Sequence, residues 1–472
     1  MRRLTIFVIA LTLLPSLLGA AAPVDGPFSF IGIGGYRGNE YVPHHDGDVF
    51  EYSEDVSINF SRPVDMGSFR LSYTIAPSTP SAVYPWEYGR HVAITMRKVP
   101  GVTYTITIAP TLTDTDGHQL GQTVHVRITT PPVPEIPKPL RATPNESYRY
   151  GVLAHPFPFS LTGKTAERQM DLMQQAGVRF VRIDYCGAQI EPSPGRWDWT
   201  IPDRIASALA ARGITELPIV EQYCAPKWAT GGKGYPAIWL EPEGYATFAG
   251  AIAAHVSQKY PQITRLELFN EPNLHGWWTN YNPQYANRDG SATAVYMKAA
   301  YAAVKQTAPK LTVVGPALAD GGHDVDPRKF LETMYGTGCR LGTCWDVLSV
   351  HNYRWYNPTF YTKPSYQNQW GIYKQLQEIA TRHGDAGTHV MLTEWGFSTV
   401  DSPVGFDPKV QAEYVALGFN LMLADPSVDG VVYVNLYNPS NDFWGRTALT
   451  TADFELLPGF NVFREFATYG VK

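Results

Sequence analysis

The chain has 472 residues, 44% hydrophobic and 17% charged, and its formal net charge is −5. That apolar fraction supplies a sizeable core and excludes wholesale disorder, and the length suits two domains. No long basic run appears, so nucleic acid is excluded as an expected partner. Of the 12 Trp residues, only Trp86 precedes residue 131. The second part of the chain therefore differs from the first.

Residues 1–22 read as an export signal. Arg2 and Arg3 form a positive start, Leu4 to Leu18 is an apolar run broken by Pro15, and Ala20-Ala21-Ala22 is a small-residue cleavage pattern. The run is short for a membrane span, and no later stretch is long and apolar enough to make one. The mature chain is expected to be secreted or periplasmic, monomeric and free of membrane insertion. Export permits disulfides among Cys186, Cys224, Cys339 and Cys344. Cys339 and Cys344 have no companion Cys/His pair, so no metal site is expected.

Residues 24–130 read as all-β. Val56–Phe60, Val92–Met96, Tyr104–Ile108 and Val124–Ile128 alternate at period two between turn residues, with no useful helical period among them. That is the pattern of a small sandwich. Ile58-Asn59-Phe60-Ser61-Arg62-Pro63-Val64-Asp65, Leu112-Thr113-Asp114-Thr115-Asp116-Gly117 and a closing Thr129-Thr130 resemble bacterial Ig-like domains over nearly all of the segment. Asp114-x-Asp116-Gly117 lacks calcium-loop spacing and reads as a turn. Tyr84, Trp86 and Tyr88 alternate, which predicts one aromatic strand face, either a core or interface face or a sugar-binding strip. The module is expected to act as a spacer or packing partner. Residues 131–143 are a Pro-rich, extended linker.

From residue 144 the reading changes to strand–helix alternation. Apolar strand candidates fall at 149–154, 178–184, 215–221, 264–269, 311–316, 346–351, 389–393 and 430–436. Amphipathic segments of helical length separate them, at 164–176, 200–212, 241–259, 293–308, 327–336, 366–383 and 407–423, and 458–468 closes the chain. Eight β/α units of this size predict an α/β fold, a (β/α)8 TIM barrel preceded by the small all-β Ig-like sandwich. A doubly wound sheet would carry a Gly-rich turn after its first strand, where this chain has His155-Pro156-Phe157-Pro158. Cys186 and Cys224 occupy matching positions after neighbouring parallel strands about 4.8 Å apart, so they are expected to pair. Cys339 and Cys344 are expected to close a tight loop holding Gly342.

Functional residues of a barrel follow the C-terminal ends of its strands. Strand four ends Phe269-Asn270-Glu271-Pro272-Asn273, strand six His351-Asn352-Tyr353, and strand seven Thr393-Glu394-Trp395-Gly396. Glu271 and Glu394 thus project into one mouth. Glycoside cleavage needs such a pair, one carboxyl as proton donor and the other as nucleophile or base. These motifs, with Arg179-Phe180-Val181-Arg182-Ile183-Asp184 and Glu191-Pro192-Ser193-Pro194-Gly195-Arg196-Trp197-Asp198-Trp199, make the barrel resemble the clan A retaining glycoside hydrolases over its whole length. Within the clan it is most similar to family 39, with family 5 as second choice.

The resemblance implies Glu271 as general acid/base, Glu394 as nucleophile, and Asn270 as the partner of the sugar 2-hydroxyl. It implies that His351 and Tyr353 line the site and that Arg182 lies beneath Glu394. Glu394 must stay ionised, which an adjacent Arg favours; Glu271 must keep its proton, which burial and a nearby carboxylate favour. Arg182 could instead serve a structural salt bridge with Asp184 or Glu221. Trp228, Trp277, Trp278 and Trp395 stand as sugar-stacking candidates among the aromatics near the mouth, with Trp239, Trp355 and Tyr356 beside them. Trp197 and Trp199 are expected in the core. Two departures from the clan concern the sugar surface. Strand eight lacks the usual Trp, so Tyr433, Tyr437 or Trp444 must replace it, and Cys186-Gly187 stands where an aromatic is common. No cofactor is expected, and the expected partner is a glycan substrate. A short-substrate exo-glycosidase of the β-xylosidase type and a non-catalytic polysaccharide-binding protein are the alternatives.

Overall fold

The computed structural model describes residues 26–37, 40–141, 146–154, 164–274, 289–320, 325–353 and 371–470. The expected export signal lies outside the described residues. Strands β1 (Phe30–Arg37), β2 (Glu40–His44), β3 (Asp55–Phe60), β4 (Tyr73–Ala76), β5 (Ser81–Trp86), β6 (His91–Met96), β7 (Thr103–Ile108) and β8 (Val124–Thr129) form two antiparallel sheets. Their orders are β2-β1-β3-β6-β5 and β4-β7-β8. In β7 the alternation is plain: Tyr104, Ile106 and Ile108 are buried while the threonines between them are not. They meet Ile58, Phe60, Ile94, Val126 and Ile128 in one core.

Two expectations for this module need correction. A short helix, α1 (Met66–Ser72), interrupts the strands because Asp65 caps it, its side chain accepting from the Ser68 N–H at 2.6 Å. The aromatic face ends at Trp86. Glu87 and Tyr88 take left-handed backbone (φ 48° and 58°), so Tyr88 turns away from the strand and is 68% exposed, while Trp86 stacks on Tyr36 at 5.0 Å. At Asp114, Oδ1 accepts the N–H groups of Asp116 and His118, which makes the stretch a turn.

The barrel closes through β9 (Tyr150–Leu153), β10 (Phe180–Tyr185), β11 (Thr215–Val220), β12 (Arg265–Leu268), β13 (Thr312–Asp320), β14 (Val347–Asn352), β15 (Val390–Trp395) and β16 (Val428–Tyr433), all parallel. Around it lie α2 (Lys164–Gln175), a one-turn α3 (Gly187–Ile190), α4 (Thr200–Ala210), α5 (Pro242–Lys259), α6 (Ser291–Thr307), α7 (Pro327–Gly336), α8 (Ile372–Arg382), α9 (Pro408–Leu423) and α10 (Pro458–Thr468). Local chemistry sets their starts: Asp326 and Asp407 cap α7 and α9, each followed by Pro at the first helical position. Trp197 and Trp199 pack against the core, and Trp199 stacks on His255 at 4.0 Å.

Side chains fill the lumen in layers. Leu153, Phe180, Leu217, Val314, Val347, Met391 and Val432 form an apolar layer. Gly151 keeps that layer closed, because a Cβ there would run into the Phe180 ring. Two residues further along the strands the layer turns polar, with Arg182, Glu267, Ser349 and Thr393 all buried. Both disulfides form as expected, Cys186–Cys224 and Cys339–Cys344, with Cα separations of 5.2 and 5.6 Å.

The sandwich and linker rest on the outer helices. Tyr52 packs among barrel core side chains and donates to the Pro132 carbonyl at 2.6 Å. Asn420 of α9 holds the linker with two bonds, to Leu140 N–H and Lys138 C=O, both 3.0 Å. Burial and the sandwich residue Glu51 push Glu413 of α9 up to about 7. The unfolded chain gives up that proton near the ordinary carboxyl value, whereas the folded chain keeps it to about 7. Stability therefore falls as pH rises through that window and stays lowered above it. Glu413→Gln should raise stability at pH 8 by about 1 kcal/mol, discounted for a half-buried group, and leave it nearly unchanged at pH 4.5. Denaturant melts at the two pH values check this; equal gains at both would assign the effect to packing.

Candidate active site

The barrel strands and the residues just beyond them supply the side chains of the site, and the two carboxylates are each aimed by a local break in regularity. On β14, Val347, Ser349 and His351 share the lumen face at period two. On β15 the same period carries Met391 and Thr393 inward and would send Glu394 outward. Instead the register with both neighbours shifts here: Val350 pairs Leu392 and then His351 pairs Glu394, while Leu392 pairs Val431 and then Trp395 pairs Tyr433. The bulge turns Glu394 toward the mouth and Trp395 away from it. At the end of β12, Phe269 and Glu271 adopt φ of 65° and 46°, so the chain folds over between them. Glu271 N–H donates to Ala317 C=O at 2.9 Å and Ala317 N–H to Phe269 C=O at 3.0 Å, fixing that turn against β13. Asn273 completes it, holding β13 through Ala319 at 2.9 Å in both directions.

Arg182 lies at the bottom of the mouth, 1% exposed. Its Nε donates to Glu267, Nη1 to Glu394 Oε1 at 2.7 Å, and Nη2 to Asn270 Oδ1 at 2.9 Å. Burial works against its charge, but the Glu267 and Glu394 carboxylates outweigh it and hold the guanidinium above its ordinary range. Tyr353 OH donates to the other oxygen of Glu394 at 2.7 Å. Burial first, then the Glu394 carboxylate, keeps that phenol protonated well above its usual range. Glu271 Oε1 and His351 Nδ1 are 2.8 Å apart, and the same nitrogen lies 3.5 Å from Glu394 Oε2. One donor atom each of Glu271, His351 and Glu394 fall within 4.8 Å of one another. That spacing would also suit a divalent cation, against which the Arg182 guanidinium, 2.7 Å from Glu394, acts by charge repulsion.

The structure thus brings together Glu271, Glu394, Asn270, Arg182, His351 and Tyr353. Arg182 meets Glu267 and Glu394 as charge partners, not the Asp184 or Glu221 salt bridge considered above. Trp395 does not join them. It is fully buried, edge-on to Phe419 of α9 at 5.1 Å and to Tyr433 at 5.2 Å, which corrects its assignment as a sugar-stacking ring. Trp228 is 40% exposed in the segment after β11, where its Nε1 donates to Glu191 C=O at 2.9 Å. Trp239 is core, and Trp277, Trp278, Trp355 and Tyr356 lie outside the described residues.

Of the three candidates to replace the strand-eight Trp, Tyr433 is buried and Tyr437 stacks on Phe454 at 4.1 Å. Trp444 is 44% exposed and stands edge-on to Tyr353 at 5.0 Å, beside the site. Sequence reasoning missed Glu267, Ser349 and Thr393. Ser349 donates to Glu267 at 2.6 Å and is linked to Thr393 at 2.5 Å. The signal was Glu267 itself, a carboxylate flanked by Leu266 and Leu268, which burial obliges to find a cation.

This arrangement agrees with what the chain matches. The family model for cellulase, glycosyl hydrolase family 5, matches residues 150–435, and a bacterial Ig-like domain model matches residues 39–130. The chain belongs to the family 5 glycosyl hydrolases, a clan A family. No curated protein matches it. Among solved structures it is similar to a family 39 glycoside hydrolase from the gut symbiont Bacteroides cellulosilyticus WH2, at 19% identity over 89% of this chain and 81% of that one (TM-score 0.51). It is also similar to a family 39 β-xylosidase from Caulobacter crescentus, at 19% identity over 69% and 72% (TM-score 0.50). A family 39 enzyme from Xanthomonas axonopodis pv. citri follows at 16% identity over 70% of each chain (TM-score 0.51). At these identities the likeness concerns the fold.

Removing Arg182 would leave Glu267 charged, buried and unpaired. Arg182→Met should cost about 3–5 kcal/mol of stability, measured by urea melts. Adding Glu267→Gln should restore much of that stability but none of the turnover. Equal stability of the single and double variants would sink the pairing.

Proposed function

We propose that the protein is an exported, retaining glycoside hydrolase that cleaves O-glycosidic bonds of a glycan by double displacement. The observation that carries this reading is the approach of Glu271 and Glu394 oxygens to within 4.8 Å. Retention goes with carboxyl groups about 5–5.5 Å apart, whereas inversion needs about 6.5–9.5 Å to admit a water. Two disulfides support an exported chain.

In the first step Glu394 Oε attacks the anomeric carbon while the bond to the leaving oxygen breaks, and Glu271 delivers its proton to that oxygen. A glycosyl ester of Glu394 results. Glu271, now ionised, takes a proton from water as its oxygen attacks the same carbon, and Glu394 departs as carboxylate. Arg182 and Tyr353 accompany Glu394 through both charge states, each holding one of its oxygens. As a neutral donor Tyr353 follows the oxygen without adding charge. Asn270, pinned by Arg182, is placed to meet the sugar 2-hydroxyl.

Azide separates the two carboxylates. Glu394→Ala should abolish turnover of an activated aryl glycoside, and azide should restore it with a glycosyl azide of inverted configuration. Glu271→Ala with azide should give the retained anomer. Proton NMR of the products reads both, and a retained azide from the Glu394 variant would overturn the assignment.

The two strand-end tryptophans should respond in opposite ways. Trp444→Ala should weaken substrate binding about tenfold, the equivalent of ~1.4 kcal/mol, without changing the melting point. Trp395→Ala should instead destabilise the barrel by about 3–5 kcal/mol. Steady-state KM and thermal melts compare them.

A further inference from the structure

We infer that Gln222 is a positioning residue for the Asn270–Glu271 turn, its side-chain amide standing in for a missing stretch of β-ladder. The inference rests on the acid role proposed above for Glu271.

The parallel ladder between β11 and β12 runs through Ile219 with Glu267 and Val220 with Leu268 and then ends. Asn270, two residues further on, would have an open N–H and an open C=O on that side. Gln222 fills both. Its Nε2 donates to Asn270 C=O at 2.6 Å, and its Oε1 accepts Asn270 N–H at 2.8 Å. A carboxamide is the one side-chain group with a donor and an acceptor at peptide spacing, and here it is 1% exposed, where an unmet backbone group is costly.

The clamp falls between Phe269 and Glu271, both in left-handed backbone that non-glycine residues disfavour. Ala317 on the β13 side takes the Phe269 C=O and the Glu271 N–H. Gln222 on the β11 side takes the Asn270 N–H and C=O, so the two peptide groups between Phe269 and Glu271 are each held from both sides. Without Gln222 the turn can relax toward ordinary backbone, carrying the Glu271 carboxyl and the Asn270 amide out of line. Gln222 is itself bracketed. On one side, burial and the Asp184 carboxylate hold the Glu221 pKa well above the ordinary range, and on the other Cys224 is tied to Cys186.

A positioning role for the acid has a kinetic signature that loss of fold does not. A 2,4-dinitrophenyl leaving group departs without a proton, whereas a phenyl leaving group needs one. For Gln222→Met, kcat/KM should fall about 100-fold on the phenyl β-glycoside and less than about fivefold on the dinitrophenyl β-glycoside of the same sugar. Gln222→Glu, nearly isosteric, supplies the second variant: it keeps an acceptor for Asn270 N–H, and its selective loss on the phenyl substrate should deepen, relative to wild type, as pH rises and its donor proton leaves. Equal losses on both substrates, or none, would overturn the inference. Glu271→Ala run in parallel separates the two claims. If it fails to discriminate between the leaving groups, the acid assignment is wrong. If it discriminates and the Gln222 variants do not, only the role of Gln222 is wrong.

Discussion

One buried guanidinium holds the mouth of this barrel together. Arg182 reaches from β10 to Glu267 on β12, to Asn270 just beyond it, and to Glu394 on β15, so three strand ends are referred to one planar group. Arginine suits this because its donors lie in a fixed fork, whereas a lysine ammonium would serve as a point charge with no preferred plane. The charges also constrain the site. One cation faces two carboxylates, and Glu267 is itself tied to Ser349 and through it to Thr393. Glu394 therefore shares its counter-charge rather than owning it, which leaves a carboxylate held in place and still available to react.

Regular secondary structure alone would not have assembled this group. Period-two alternation carries Arg182, Glu267, Ser349 and His351 into the lumen, but it would place Glu394 on the outer face. The bulge on β15 reverses that, and left-handed backbone at Phe269 and Glu271 does the same work on β12. Each irregularity is over-determined by neighbours: Arg182 and Tyr353 on Glu394, Ala317 and Gln222 around Asn270. The costs of the strained backbone are carried by buried hydrogen bonds that exist only when the strands are in register.

What could be read from the sequence follows the same division. The eight barrel strands were legible because parallel strands covered on both faces are short apolar runs separated by helical periods. Glu271 and Glu394 were legible because their motifs end two such runs. Trp395 was misread because its place at a strand end does not say which way the ring turns, and the bulge that sends it outward has no local signal. Tyr84, Trp86 and Tyr88 failed for a related reason, since a turn at Glu87 broke the strand before the third ring. Trp444 could not be separated from Tyr433 and Tyr437, because the segment after β16 has no period to project from. Gln222 was invisible for a different reason. Its role depends on where β11 parts from β12, a property of two strands rather than of either sequence.

The layering of the lumen explains why the site is confined to one end. Beneath Arg182, the side chains from Leu153 to Val432 close the barrel with apolar volume, so neither water nor counter-ions reach the guanidinium from below. Attraction between Arg182 and its carboxylates is stronger in such surroundings than in water, and the penalty for leaving any of them unpaired rises equally. That asymmetry favours a complete network over a partial one. It also sets a direction, because the partly accessible carboxylates of Glu271 and Glu394 face only the mouth. In the proposed reaction a glycosidic bond would meet both carboxylates only from that side, past the exposed Trp444 edge beside Tyr353.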